Sequence, residues 1–206
     1  MLGVVLEGLL FGLGLALSLG PIFFALTQTS IQKGVIPGLT VGLGIWISDF
    51  LFIAIFYKFI NQLSSEIAGG RAQFWLGISG AVVMIVFGLV MIFKKPSIEF
   101  KTEKFSFKSY LGYWLKGFLI NTVNPFTFVF WSGVISTYVI GRGLSSEAHM
   151  VLFSTILTVI ILSDVGKVFL ADLLKQGLKQ KHINYIGNFS GTVLMAFGIF
   201  LGYQVI

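Results

Sequence analysis

The sequence predicts an all-α membrane protein of six transmembrane helices, arranged as two inverted three-helix repeats. Of its 206 residues, 56% are hydrophobic and only 11% are charged, which is more apolar surface than a soluble domain of this length can bury. Six apolar stretches each reach the roughly 20 residues that cross a hydrocarbon core. The motifs of the first three stretches return in the last three, and an odd number of spans per copy orients the two copies oppositely.

The predicted spans cover nearly the whole chain, so we expect a single transmembrane domain. Repeat 1 is expected over residues 1–93, a cytoplasmic linker over 94–112, and repeat 2 over 113–206. The first stretch carries Glu7 and lacks a basic leader, so it is expected to be a membrane span and not a signal peptide. The six spans are predicted at residues 4–27, 36–57, 74–93, 113–140, 150–171 and 185–205.

Each proposed copy contains the same three motifs in the same order. A residue followed by proline interrupts the first span, a Ser-Asp pair lies within the second, and a Ser-Gly pair lies in the third. The matching pairs are Gly20-Pro21 with Asn124-Pro125, Ser48-Asp49 with Ser163-Asp164, and Ser79-Gly80 with Ser190-Gly191.

The basic residues predict the orientation of the chain. Ten of them lie in or beside the connections that follow spans one, three and five, whereas the opposite side has three. Because basic residues concentrate on the cytoplasmic side, both termini are predicted to lie outside. A C-terminal reporter active only in the cytoplasm would contradict this orientation. The ten are Lys33, Lys94, Lys95, Lys101, Lys104, Lys108, Lys116, Lys175, Lys179 and Lys181; the three are Lys58, Arg71 and Arg142.

Small residues predict where helices approach closely. The first span has a small residue at every fourth position, which places these residues on one helix face as a packing seam. Two tryptophans fall deep within predicted spans. Trp46 lies three residues before Asp49 and could line a cavity, but lipid contact or ordinary packing is the favoured interpretation for Trp46 and Trp131. The small residues of the seam are Gly8, Gly12, Ala16 and Gly20.

Two aspartates inside apolar helices are the strongest candidates for function. An aspartate near the centre of a membrane helix costs roughly 2.5–3.5 kcal/mol on insertion scales, and here that cost is met at matching positions of both copies. Asp49 is predicted to bind a substrate ammonium group or a proton. Asp164 is predicted to be its counterpart, paired with Lys167 three residues later. A simple structural ion pair is the alternative for Asp164.

The proline breaks are the second candidate feature. Pro21 and Pro125 each remove a backbone donor, and the opened backbone groups need partners from protein or cavity water. The ends of broken helices can bind ions, so Gly20, Pro21 and Pro125 are predicted to frame a site. An ordinary proline kink is the alternative. The polar side chains expected to complete the site are Asn121, Asn124, Thr27 and Gln28.

Several classes of function are disfavoured by what the sequence contains. There is no cysteine and no glycine-rich loop ending in Lys-Ser or Lys-Thr, so thiol chemistry and a visible ATP motor are excluded. His149 and His182 are expected at loop edges, which disfavours a histidine metal path. The net charge of +6 comes from lysines beside the spans, so membrane lipids and not nucleic acid are the expected partners. No cofactor and no enzymatic activity are predicted.

These motifs resemble those of the LysE/RhtB family of amino-acid exporters. Residues 17–21, the basic turn Lys33-Gly34 and residues 38–49 are similar to the N-terminal motif of that family. Asn124-Pro125-Phe126 resembles the Asn-Pro-Lys of its fourth span. Leu19 stands where the family has the first proline of its break, and Phe126 stands where a lysine is common. The resemblance implies export of amino acids or related small metabolites, driven by the proton-motive force.

We therefore predict a secondary exporter of the cytoplasmic membrane whose partners are an amino-acid-like substrate and protons. Two alternatives stay open at this point. The first is a divalent-cation exporter that uses Asp49 and Asp164 as oxygen ligands. The second is a membrane scaffold that transports nothing. A monomer and a homo-oligomer are equally compatible with the sequence.

Overall fold

A computed structural model describes residues 1–17, 20–67, 71–93, 106–142, 144–175 and 180–205. Leu19 and most of the predicted linker, residues 94–105, lie outside this set. The described residues form eight α-helices, and the sixth continues into a short π-helix at Ser136–Gly141. The α-helices are α1 (Leu2–Ala16), α2 (Pro21–Lys33), α3 (Val35–Ile67), α4 (Arg71–Phe93), α5 (Phe107–Thr122), α6 (Pro125–Ile135), α7 (Ser146–Leu174) and α8 (Gln180–Val205).

Two helices are long and apolar enough to cross a membrane by themselves, namely α3 over Val35–Phe59 and α7 over Ser146–Leu174. Two further candidates are bent pairs, α1 with α2 at 66° and α5 with α6 at 62°. In the described residues, α4 and α8 provide shorter apolar stretches. The all-helical architecture agrees with the predicted fold class. The count of six spans, and their inverted arrangement, stay predictions.

Each bend lies where the sequence places a proline. Pro21 is in the first turn of α2, and Pro125 is in the first turn of α6. Proline is favoured at this position because the first backbone N–H groups of a helix have no intrahelical partner in any case. The chain therefore ends one helix and starts another at each break, and the second helix leaves at a steep angle.

The start of α5 differs from the predicted span boundary. The helix begins at Phe107, within the predicted linker, because the Ser106 side chain accepts a hydrogen bond from the Ser109 backbone at 3.3 Å. Lys116, which we grouped with the loop lysines, lies inside this helix. Its Nζ donates to the Thr29 hydroxyl at 3.0 Å, so it contacts α2 and does not belong to a loop.

The helices pack in pairs that are distant in sequence. The most extensive contacts join α4 with α8, α3 with α5, and α1 with α7, and α2 packs against α3, α5 and α7. The second helix of each bent pair thus packs on a long helix: α2 packs on both α3 and α7, and α6 packs on α3.

Three of the four small residues of the predicted seam belong to α1 and pack toward α7, whereas Gly20 lies beyond the end of this helix. Gly8, Gly12 and Ala16 are the buried residues of this helix. A Cβ atom added at Gly8 would lie 2.9 Å from the Cβ of Thr155, and one at Gly12 would lie 2.7 Å from that of Val159. The two helices are therefore closer than any larger residue allows, which maximises dispersion contact in lipid.

An aromatic and aliphatic core lies between α3, α6 and α7. Trp131 is fully buried there, among residues such as Ile135, Leu152 and Ile156. Lipid contact, one of the two favoured interpretations for Trp131, is therefore wrong. This packing fixes the indole ring at the side of the core that faces Asp49.

Candidate functional site

Asp49 lies within α3 and is 1% exposed. Its Oδ1 accepts a hydrogen bond from Asn121 Nδ2 at 2.9 Å and another from Trp131 Nε1 at 2.9 Å. These donors come from α5 and α6, the two halves of the second bent pair. A buried carboxyl group needs such partners because lipid and apolar side chains cannot replace its hydration.

Asn121 connects three helices at the second break. Besides donating to Asp49, its Nδ2 donates to the Ile45 carbonyl oxygen at 3.1 Å, and its Oδ1 accepts from the Thr127 hydroxyl at 2.9 Å. Both amide hydrogens and the amide oxygen are thus engaged, and the residue is fully buried. The position of Asp49 therefore depends on how α5 and α6 meet.

Asp164 lies within α7 and, like Asp49, is buried, with 2% of its surface exposed. Its Oδ1 accepts from Lys167 Nζ at 2.8 Å, and its Oδ2 accepts from Trp46 Nε1 at 3.1 Å. Trp46 and Asp49 both belong to α3. This helix therefore contributes one carboxyl group, that of Asp49, and also the indole N–H that donates to Asp164. The ion pair with Lys167 is the one expected from the three-residue spacing.

The two helix breaks differ in how their first turns are capped. The Asn124 side chain accepts a hydrogen bond from the Phe126 backbone N–H at 3.1 Å, so the N-terminus of α6 has its own cap. Gly20 precedes α2 and offers no side-chain cap. The partial positive charge of a helix N-terminus favours anionic groups, and it is less engaged at α2 than at α6.

The aspartates and both breaks border one cavity of about 30 Å³. A cavity needs roughly 10–15 Å³ to hold one water molecule, so this one has room for about two. It is too small for an amino acid, and the site is therefore closed in this conformation. Its charged and amide-bearing lining residues are Asp49, Asp164, Lys167, Asn121 and Asn124; the remainder are Leu15, Ala16, Gly20, Ile22, Ile45, Phe126 and Ile160.

Six of the candidate residues predicted from sequence line this cavity, and the others do not. Pro21 and Pro125 begin the helices whose first turns supply Ile22 and Phe126 to its wall. Gln28 is half-buried on α2 and is not a lining residue. The residues brought together are Gly20, Asp49, Asn121, Asn124, Asp164 and Lys167.

Thr27 is not a lining residue of the cavity either, and its hydroxyl has a partner within α2. It donates to the Phe23 carbonyl oxygen of its own helix at 2.7 Å. A threonine in a helix commonly bonds the carbonyl four residues earlier, which satisfies the hydroxyl locally. We therefore place the site nearer the start of α2 than the sequence suggested.

Three side chains that hold the carboxyl groups were not predicted in that role. Trp131 and Trp46 each donate to an aspartate, and Thr127 supports Asn121. Neither tryptophan had a sequence signal for this role, because the partner of Trp46 is 118 residues away in the chain and that of Trp131 is 82 residues away.

The geometry gives little support to a metal site. The described residues contain no group of three or more histidine or acidic side chains able to hold a metal ion. The oxygens of Asp164 and the Oδ1 of Asp49 are occupied by N–H donors, which a cation would have to displace. His149 was expected at a loop edge but is buried in α7, where Nε2 lies 3.2 Å from the Tyr138 carbonyl oxygen.

Comparison with known proteins gives a family for this arrangement. The sequence model of the family described as LysE type translocator matches residues 13–205 of this chain. The match includes both breaks, both aspartates and all the helices from α2 onwards. The chain belongs to the LysE family.

Relatives of this chain are named as efflux proteins. The Bacillus subtilis (strain 168) protein YcgF, named provisionally as an amino acid efflux protein, is 23% identical, with 98% of this chain and 97% of YcgF covered. The threonine efflux protein of Escherichia coli K12 is 25% identical, with 90% of each chain covered. The threonine efflux protein of Escherichia coli O157:H7 matches to the same extent. No solved structure matches the chain.

Proposed function

We propose that this LysE-family protein is a secondary exporter of amino acids or related small metabolites in the cytoplasmic membrane, driven by the proton-motive force. The observation that carries the proposal is the closed cavity where Asp49, Asp164, Lys167 and both helix breaks meet. Carboxyl groups that are buried within apolar membrane helices are retained where they bind a cation or a proton. The relatives' names support amino acids as the substrate class.

The cavity has the charges that a zwitterion requires. Asp49 is the proposed partner of the substrate ammonium group, and Lys167 is the proposed partner of its carboxylate, assisted by the uncapped N-terminus of α2 at Gly20. A carboxyl group that binds a proton in one step and an ammonium group in the next couples the two by mutual exclusion. Asp164, neutralised by Lys167, is the proposed counterpart of Asp49.

The packing supports two inverted repeats of three spans. In this scheme the first spans are the bent pairs α1–α2 and α5–α6, the second spans are α3 and α7, and the third are α4 and α8. The first span of each copy packs on the second span of the other, as α1 on α7 and α5 on α3, and the third spans pack together. A two-fold relation between the copies requires this exchange. Both termini are proposed to lie outside, as a C-terminal reporter would test.

Counterflow in proteoliposomes tests the proposed function. Vesicles loaded with one unlabelled amino acid are expected to accumulate the same labelled amino acid, and Asp49→Asn is expected to lose at least nine-tenths of this exchange because the ammonium group loses its ionic partner. Asp172→Asn is the matched control, since Asp172 pairs with Lys175 at the same three-residue spacing but is not a cavity residue.

The outcomes separate the competing functions. Exchange of an amino acid that survives in Asp49→Asn would remove Asp49 from the mechanism. Exchange of a divalent cation alone would assign the protein to cation export. Absence of exchange for every amino acid and divalent cation offered would favour a scaffold and contradict the proposal.

A further inference from the structure

On the basis of the proposed function, we infer that the exported amino acid carries an apolar side chain, and that valine is preferred over its hydroxylated isostere threonine. The inference concerns the part of the cavity wall that does not contact the ammonium and carboxylate groups of the substrate. That part is supplied by five helices and is chemically uniform: its large side chains are Leu15, Ile22, Ile45, Phe126 and Ile160.

Most of the polar atoms that border the cavity have hydrogen-bond partners within the protein. Asn121 uses both amide hydrogens and its oxygen within the protein, and the oxygen of Asn124 caps α6. Asp49 and Lys167 are engaged by the ammonium and carboxylate groups of any amino acid. A hydroxyl on the substrate side chain would therefore find few partners in a wall that is largely apolar.

Phe126 strengthens this conclusion because of its position. It occupies the first turn of α6, where its backbone N–H donates to the Asn124 side chain, and it lines the cavity beside the second break. A charged or hydrogen-bonding residue there would place a polar atom in the wall. Phenylalanine instead continues the apolar surface across the break.

A comparison of valine with threonine separates the effect of side-chain polarity from that of size. Valine has a methyl group where threonine has a hydroxyl, and the two side chains have almost the same volume. The closed cavity has room for about two water molecules, so either substrate must displace the same wall residues. An apolar pocket discriminates against an added hydroxyl by roughly ten- to a hundredfold. We expect the half-maximal concentration for counterflow to be lower for valine than for threonine by at least tenfold.

The experiment measures that ratio in proteoliposomes with labelled valine and labelled threonine. Ile160→Thr adds a hydroxyl to the wall and is expected to reduce the ratio at least threefold. The hydroxyl of a helical threonine donates to its own helix, as Thr155 and Thr158 do at 2.7 Å, but it still accepts a bond from the substrate. Ile22→Thr is the second wall variant, used in parallel in case Ile160→Thr fails to fold.

Two controls separate wall chemistry from general damage. Ile160→Val keeps the wall apolar and is expected to preserve the ratio. Leu162→Thr makes a hydroxyl change on the same helix at a side chain that is 66% exposed, and is also expected to preserve it.

The result that overturns the inference is distinguishable from failure of the proposed function. If threonine exchanges as well as valine, or if neither wall variant that folds changes the ratio, amino-acid transport stands and the apolar preference is wrong. If neither valine, threonine nor any other amino acid exchanges, the proposed function fails as well.

Discussion

The carboxyl group of Asp49 is held by two donors that approach from different helices. Asn121 arrives from the end of α5 and Trp131 from within α6, and both contact the same oxygen at 2.9 Å. Because the two donors lie on opposite sides of the break at Asn124, any change in the angle between α5 and α6 changes the hydrogen bonding of Asp49. This geometry provides a physical link between binding at the carboxyl group and movement at the break.

Trp131→Phe tests that link with a ring that preserves most of the packing. The variant lacks the indole donor to Asp49, and a hydrogen bond to a charged group contributes about 1.5–3 kcal/mol. We expect valine counterflow at low substrate concentration to fall by about tenfold or more. Trp75→Phe is the control, because Trp75 is 62% exposed on α4. Equal activity in the two variants would show that the indole does not position Asp49.

The ionisable residues of the site could be predicted from the sequence, whereas the residues that hold them could not. A carboxyl group in an apolar helix stands out because its insertion cost is large, and Lys167 follows from helix geometry. Trp131 and Thr127 are ordinary members of an apolar segment until α6 is placed beside α3. Gln28 was predicted from polarity alone, and its distance along α2 from the break places it outside the cavity lining.

A very close helix approach lies between α3 and α5, the two helices that carry Asp49 and Asn121. A Cβ added at Gly117 would collide with the Val41 carbonyl oxygen, and one at Gly44 would collide with that of Trp114. These glycines set the separation of the helices, and through it the reach of the Asn121 amide to Asp49 and to Ile45.

Gly117→Ala is expected to disturb this contact although it adds only one methyl group. The backbone carbonyl of Val41 cannot rotate away, so the helices must separate, and overpacking of this kind costs about 1–3 kcal/mol. We expect a lower Tm in detergent and reduced counterflow. Gly112→Ala is the control on the same helix, since a Cβ there meets nothing within 4 Å. A Tm for Gly117→Ala equal to that of Gly112→Ala would contradict the close approach.

Helix positions and breaks were more predictable than helix boundaries. The apolar stretches locate the helices, and proline identifies where α2 and α6 begin. The early start of α5 rests on a single capping serine in a lysine-rich segment, a local signal that hydropathy does not register. The basic turn Lys33-Gly34 did mark a boundary: Gly34 ends α2 with a φ of 95°, a conformation that glycine adopts without strain.

The first bent pair is held against α7 by separate contacts of its two helices, α1 and α2. On one side, the seam of α1 against α7 is joined by the ion pair of Glu7 with Arg142 at 2.7 Å. On the other side, α2 is tied to α7 by Ser30, whose hydroxyl donates to the Val168 carbonyl at 2.6 Å, and to α5 by Lys116.

The pairing of α1 with α7 and of α3 with α5 could not be derived from apolar stretches and loop lengths, although the repeated motifs predicted two related halves. The family match and the cavity agree with a transporter. Proton coupling, in contrast, depends on which chemical species occupies Asp49 at each step, and neither sequence nor helix packing specifies it.

Proton movement coupled to substrate movement is therefore the measurement that tests the proposed mechanism most directly. Valine is added outside proteoliposomes that contain a pH-sensitive dye, with the membrane potential clamped. If valine and a proton exclude each other at Asp49, valine entry is expected to drive protons out and raise the internal pH. Asp49→Asn is expected to abolish the pH change, and Asp172→Asn to retain it. Valine entry without any pH change in the wild-type protein, or a pH change that persists in Asp49→Asn, would contradict the mechanism.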